Sequence, residues 1–68
     1  MSDKTDIGKT IRARREAANL TQSALARALG CADTMISRWE SGRVVPRLKY
    51  AEKLSAALGG VAGDYRVK

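Results

Sequence analysis

Sixty-eight residues leave room for one core and no second domain. Thirteen Lys and Arg against seven Asp and Glu give a net charge of +6, and a hydrophobic fraction of 44% marks a chain that folds rather than a solvated tail. There is no histidine and Cys31 is the single cysteine, which excludes an internal disulfide, a multi-thiolate zinc site and a Cys–His catalytic pair. No apolar run approaches the roughly 20 residues of a membrane span. Residues 1–6 carry no apolar stretch of the kind a secretory leader needs. The class expected is a cytoplasmic protein that is not an enzyme and uses neither cofactor nor metal.

Asn19, Gly30, Gly42 with Pro46, and Gly59 with Gly60 divide the chain into helical stretches. Residues 1–6 read as an N-terminal arm. The first helix is predicted over 7–18, with Ile7, Ile11, Arg14 or Arg15, and Ala18 on one face. Thr5 or Asp6 suits its start, and Asn19 suits the left-handed position that ends it. The second, 22–29, has Thr21 as cap, Leu25 and Leu29 as an apolar pair, and Gly30 as its stop. The third, about 33–41, points Ile36 and Trp39 inward. The fourth, 47–58, carries Leu48, Ala51, Leu54 or Ser55, and Leu58, with Pro46 at its first turn, where a missing N–H costs nothing. Residues 59–68 are expected to be irregular: the glycines argue against a fifth helix, and the alternation from Tyr65 to Lys68 offers a short edge strand as the alternative.

Two short helices joined through Gly30, Cys31 and Ala32 form the central feature. That arrangement is the helix-turn-helix, whose second helix enters the DNA major groove. Ile11-Arg12 with Arg15, Leu20-Thr21-Gln22, Leu25-Ala26, Leu29-Gly30, the run from Ile36 to Glu40, Gly42, Pro46 and Leu58-Gly59 carry a resemblance. Over residues 7–58 the chain resembles the phage-repressor type of helix-turn-helix domain, the Cro/C1 or XRE family. The fold this implies is an all-α, compact four-helix bundle of the lambda-repressor-like type, five-helix if the tail adds one.

The resemblance also implies site residues. Asp33, Thr34, Ser37 and Arg38 match the family's base readers, and Gln22 its backbone clamp. The N-terminal amides of the second helix offer an anion site for a phosphate. Arg38 can pair bidentately with guanine O6 and N7. Asp33 can accept from cytosine N4 or cap the third helix, because Ala32 cannot; capping is the favoured reading. Arg15 and Glu40 match an ion pair between the first and third helices, with the Arg15 guanidinium also facing a phosphate. Arg43 and Arg47 supply a second phosphate clamp, Arg47 at a helix start, where the macrodipole disfavours a cation. Trp39 reads as core, Cys31 as a small filler, and Lys49 and Lys53 as a solvated face.

Departures from the family pattern are specific. Arg14 stands where a leucine is common, and Ala51, Glu52 and Ser55 replace larger apolar residues, so the fourth helix is lightly packed or meets a partner. The chain is then a minimal four-helix version or the N-terminal piece of a longer repressor. The function expected is a sequence-specific double-stranded DNA-binding transcriptional regulator, a repressor of bacterial or phage type at the nucleoid. It would act as a homodimer on a near-palindromic operator, with its two recognition helices about 34 Å apart. The alternative is an antitoxin-like module whose main partner is a protein. Neither an aromatic stacking set for RNA nor a broad apolar face for a membrane is present. Residues 7–58 hold ten Lys and Arg against four acids, so the whole excess of positive charge sits on the predicted domain.

Overall fold

Each helix boundary has a local chemical cause. In the computed structural model, which describes residues 4–66, the elements are α1 (Lys4–Ala17), α2 (Gln22–Leu29), α3 (Asp33–Glu40), α4 (Leu48–Leu58) and a short 3-10 helix, Ala62–Tyr65. No strand occurs among the described residues, and the bundle is the all-α type expected. Asn19 takes φ 59 and ends α1, with Leu20 N–H donating to the Arg15 carbonyl at 3.1 Å. Thr21 caps α2, its Oγ1 accepting from Ala24 N–H at 3.0 Å.

Several boundaries differ from the expectation. Thr5 and Asp6 lie inside α1 rather than capping it, so residues 4–6 of the expected arm are helix; Met1, Ser2 and Asp3 lie outside the described residues. Nothing in Lys4–Asp6 breaks a helix, which is why the sequence signal placed the start too late. Ala18 is exposed in the turn after α1. Pro46 precedes the cap instead of opening α4: Arg47 is the N-cap, at φ −73 and ψ 163, the extended conformation of a residue that has not yet entered the helix. Leu48, expected inward, is 49% exposed.

The core joins Ile7 and Ile11 of α1, Leu25, Ala26 and Leu29 of α2, Ile36 and Trp39 of α3, and Ala51 and Leu54 of α4. To these the structure adds Tyr65, which is 0% exposed. The tail is therefore not irregular throughout. Its 3-10 helix packs on α4 and α1, and fills the side of α4 that small residues leave thin. Tyr65 belongs to that turn rather than to a strand, and Val67 and Lys68, the end of the alternating stretch, lie outside the described residues. No helix among the described residues is long and apolar enough to cross a membrane.

Candidate nucleic-acid interface

The turn between α2 and α3 sets the site. Gly30 adopts φ 74, which a residue with a Cβ rarely takes, and its N–H reaches the Ala26 and Arg27 carbonyls. Cys31 N–H donates to the same Ala26 carbonyl at 3.0 Å. The Cys31 side chain is half-buried, and burial pushes its thiol pKa up, consistent with a filler. With the turn closed, Leu25 and Leu29 of α2 meet Ile36 and Trp39 of α3 in the core, and the opposite face of α3 is left exposed: Thr34, Ser37 and Arg38.

At one end of that face, Arg15 bonds Glu40 in bidentate fashion, Nε to Oε2 at 2.6 Å and Nη2 to Oε1 at 3.1 Å. Its Nη1 donates to the Leu20 carbonyl at 2.8 Å. Three of its five N–H donors are thereby engaged, and the bonds to Glu40 hold its pKa above the ordinary guanidinium value. Gln22 Nε2 donates to Glu40 Oε1 at 3.2 Å, so the carboxylate orients both Arg15 and the expected clamp residue. Arg15, Gln22, Ser37 and Glu40 share one shallow hollow with Arg12 and Ser41. Arg12 was not singled out as a site residue from the sequence; its place one helical turn before Arg15 is the signal that could have found it.

At the other end, the Arg38 carbonyl accepts from Arg43 N–H at 3.0 Å and from Ser41 Oγ at 3.1 Å. These bonds fold the loop back, so that Arg43 lines a second hollow with Thr34, Ser37, Arg38 and Ser41. Arg47 is exposed and faces a third hollow, also edged by Arg38. The structure thus places Gln22, Arg15, Thr34, Ser37, Arg38, Arg43 and Arg47 around three hollows, the first two sharing Ser37 and Ser41 and the last two sharing Arg38.

Asp33 is the exception. It does not cap α3: Ala32 is the N-cap, without a side-chain bond, and Asp33 is the first residue inside the helix. Its carboxylate accepts from Ser23 Oγ at 3.2 Å instead. Its charge still favours the helix N-terminus, through the macrodipole rather than a cap. Lys49 and Lys53 are likewise more than a solvated face. Their ammonium groups stand 5.6 and 5.8 Å from the Tyr50 ring centroid, and Lys53 Nζ also donates to the Leu29 carbonyl at 3.2 Å.

Comparisons with known proteins bear on the fold and the family. A comparison with curated proteins returned no match. An HTH_3 family transcriptional regulator from Vibrio cholerae superposes with a TM-score of 0.78 at 21% identity, over 91% of this chain and 35% of that one. Fe(II)-HppE, solved with the alternative substrate (S)-1-HPP, superposes with a TM-score of 0.78 at 22% identity, over 97% of this chain and 34% of that one. This chain thus spans about a third of either protein, and at such identities the likeness is one of fold. The helix-turn-helix model HTH_3 matches residues 11–65, most of the chain and all of the surface described above. The chain belongs to the HTH_3 helix-turn-helix family, the Cro/C1 type of DNA-binding domain.

Proposed function

We propose that the chain is a sequence-specific regulator of transcription, a repressor that works at the nucleoid and reads double-stranded DNA with α3 in the major groove. The observation that carries this reading is the exposed face of α3, where Thr34, Ser37 and Arg38 lie between Gln22 on one side and Arg43 and Arg47 on the other. Such a face divides the work in two. Gln22, Arg43, Arg47 and the uncommitted donors of Arg15 hold phosphates and fix register, while Arg38, Thr34 and Ser37 meet base edges. Asp33, the first residue of α3, is a further candidate reader, its carboxylate accepting from a cytosine amino group in place of Ser23 Oγ. A homodimer places two such helices about 34 Å apart, matching a near-palindromic operator. The lightly packed fourth helix and the Gly-rich tail gave the antitoxin-like reading its sequence support; the tail's 3-10 turn packs on α4, while Leu48, Glu52, Ala56 and Ala57 stay exposed.

Selection of bound sites from random duplex DNA tests the reading, and half-site spacing reports the dimer. Arg38→Ala is expected to relax preference at one base position, by about 1–3 kcal/mol of discrimination. Equal loss of affinity on the selected site and on random DNA removes Arg38 as a reader. Arg43→Ala is expected to weaken all sequences alike and to lower the slope of log K against log salt by about one.

A further inference from the structure

The third hollow has a chemistry that phosphate binding does not use. It lies between α3 and the start of α4, has a volume of about 190 Å³, and is walled by Met35, Trp39, Val44, Val45 and Tyr50. Trp39 and Tyr50 meet there at 5.5 Å between ring centroids. Val44 is 38% exposed, so the apolar wall reaches the surface. The charged side chains on the rim are Arg38 and Arg47, and the ammonium groups of Lys49 and Lys53 flank the Tyr50 ring. The hollow is thus apolar inside and cationic around its edge.

We propose that this hollow docks an acidic segment of a partner protein, which seats one apolar side chain against Val44 and Tyr50, above the buried Trp39, and sets carboxylates on Arg38 and Arg47. Size and charge select this occupant. Sites for free small molecules run to about 300–1,000 Å³, whereas 190 Å³ suits a single anchoring side chain. A second copy of this chain carries +6 and brings like charge to a cationic rim. A phosphate takes N–H donors, which the guanidiniums supply but the aliphatic walls do not. Docking uses Arg38 and Arg47, so it excludes DNA; this consequence alone rests on the DNA-binding roles proposed for those two residues.

The test titrates the isotopically labelled full chain with a short peptide carrying one leucine between two pairs of glutamates, followed by NMR. The expected result is saturable shifts of the Trp39 indole N–H and the Met35, Val44 and Val45 methyl signals. Binding weakens at least about tenfold for a glycine-centred peptide, for a lysine-flanked peptide and for Arg47→Glu, whose side chain is exposed and whose fold is checked by circular dichroism. Equal binding by the glycine-centred peptide, or by a neutral leucine peptide, overturns the proposal. So do concentration-dependent shifts of the same signals without peptide, which mark the hollow as a contact between copies. Displacement of a selected duplex by the leucine peptide supports the shared use of Arg38 and Arg47, and simultaneous binding of both overturns it. If the chain binds no duplex, the DNA reading fails while the peptide titration still decides the docking.

Discussion

Arg14 and Arg15 are consecutive residues of α1, and each holds a carboxylate far along the chain. Arg15 reaches Glu40 on the recognition side, and the two side chains are 11% and 7% exposed. Arg14 reaches Asp64 in the C-terminal turn at 3.0 Å, with side chains 36% and 37% exposed. Arg14 Nη1 also donates to Tyr65 Oη at 2.9 Å and to the Gly59 carbonyl at 3.3 Å. The same chemistry therefore works in two environments. Around Arg15 both side chains are mostly shielded from water, so the pair fixes geometry, and removing one partner strands the other. Around Arg14 solvent screens the charges, and the turn is held by the Tyr65 ring beneath them. Both guanidinium pKa values are raised, Arg15 by its bonds to Glu40, Arg14 by its bonds to Tyr65 and then Asp64. A raised value contributes stability that is fully present below the ordinary guanidinium pKa and is lost only above it. Neither arginine makes stability vary across the physiological range.

The largest expected effect lies on the Arg14 side and is apolar. Tyr65→Ala empties a fully buried aromatic site and should lower unfolding free energy by about 4 kcal/mol in urea titrations. Tyr65→Phe keeps the ring and removes the hydroxyl, which donates to the Gly59 carbonyl at 2.7 Å and accepts from Arg14. Its cost should be about 1 kcal/mol. Equal losses for the two variants would mean that the polar network holds the turn.

On the Arg15 side the ion pair itself should dominate. Glu40→Ala leaves a mostly buried guanidinium and removes the acceptor of Gln22, with an expected loss of about 3 kcal/mol. The double variant Arg15→Met with Glu40→Leu should cost less than the single one, because no charge is left stranded. DNA affinity should fall in both, since Gln22 loses the carboxylate that orients it. A Glu40→Ala loss no greater than a surface bridge's would erase the difference between the two arginines. Gly8 adds a steric test on the same side. A Cβ built there meets the Trp39 carbonyl oxygen at 2.5 Å and that of Glu40 at 2.7 Å, so α1 and the end of α3 touch through backbone. Gly8→Ala should cost about 2 kcal/mol and disturb the Arg15–Glu40 geometry with it.

The two sides also differ in how far the sequence discloses them. The α2–α3 unit is written in local signals. Thr21 caps within three residues, Gly30 stops one helix, and Leu25, Leu29, Ile36 and Trp39 repeat at helical spacing, so core and boundaries are legible together. The Arg15–Glu40 pair is legible only through the family resemblance, since nothing local links positions 25 residues apart. The C-terminal turn has neither aid. Its glycines read as a breaker, and Ala62–Tyr65 is ordered by contact with α1 and α4 together with a local cap, Asp64 Oδ2 accepting from Val61 N–H at 3.1 Å, that the glycines mask in the sequence. Arg14 was visible as a departure, a cation where an apolar residue is usual, but its partners lie 50 and 51 positions away. Asp33 fails for a smaller reason. Its type favours capping, but the turn places it one residue inside the helix, where its carboxylate meets Ser23.

The smallest expected effect is the most discriminating. Arg14→Leu restores the residue the family pattern suggests, and it removes the ion pair with Asp64 and the bond to Tyr65 Oη. That hydroxyl keeps its own bond to the Gly59 carbonyl, so no buried polar atom is orphaned. A leucine also lays apolar surface near the ring that the Arg14 guanidinium now covers at 5.5 Å. The net change should stay within about 0.5 kcal/mol in dilute buffer. At about 1 M salt, where screening acts within about 3 Å, even that difference should shrink, because an exposed pair has little left to lose. The Glu40→Ala loss should survive the same salt in larger part, since those partners are mostly shielded from solvent. If salt instead abolishes the Glu40 effect and spares the Arg14 one, burial is not what separates the two arginines, and Arg14 acts on the C-terminal turn through packing on the Tyr65 ring rather than through its charge.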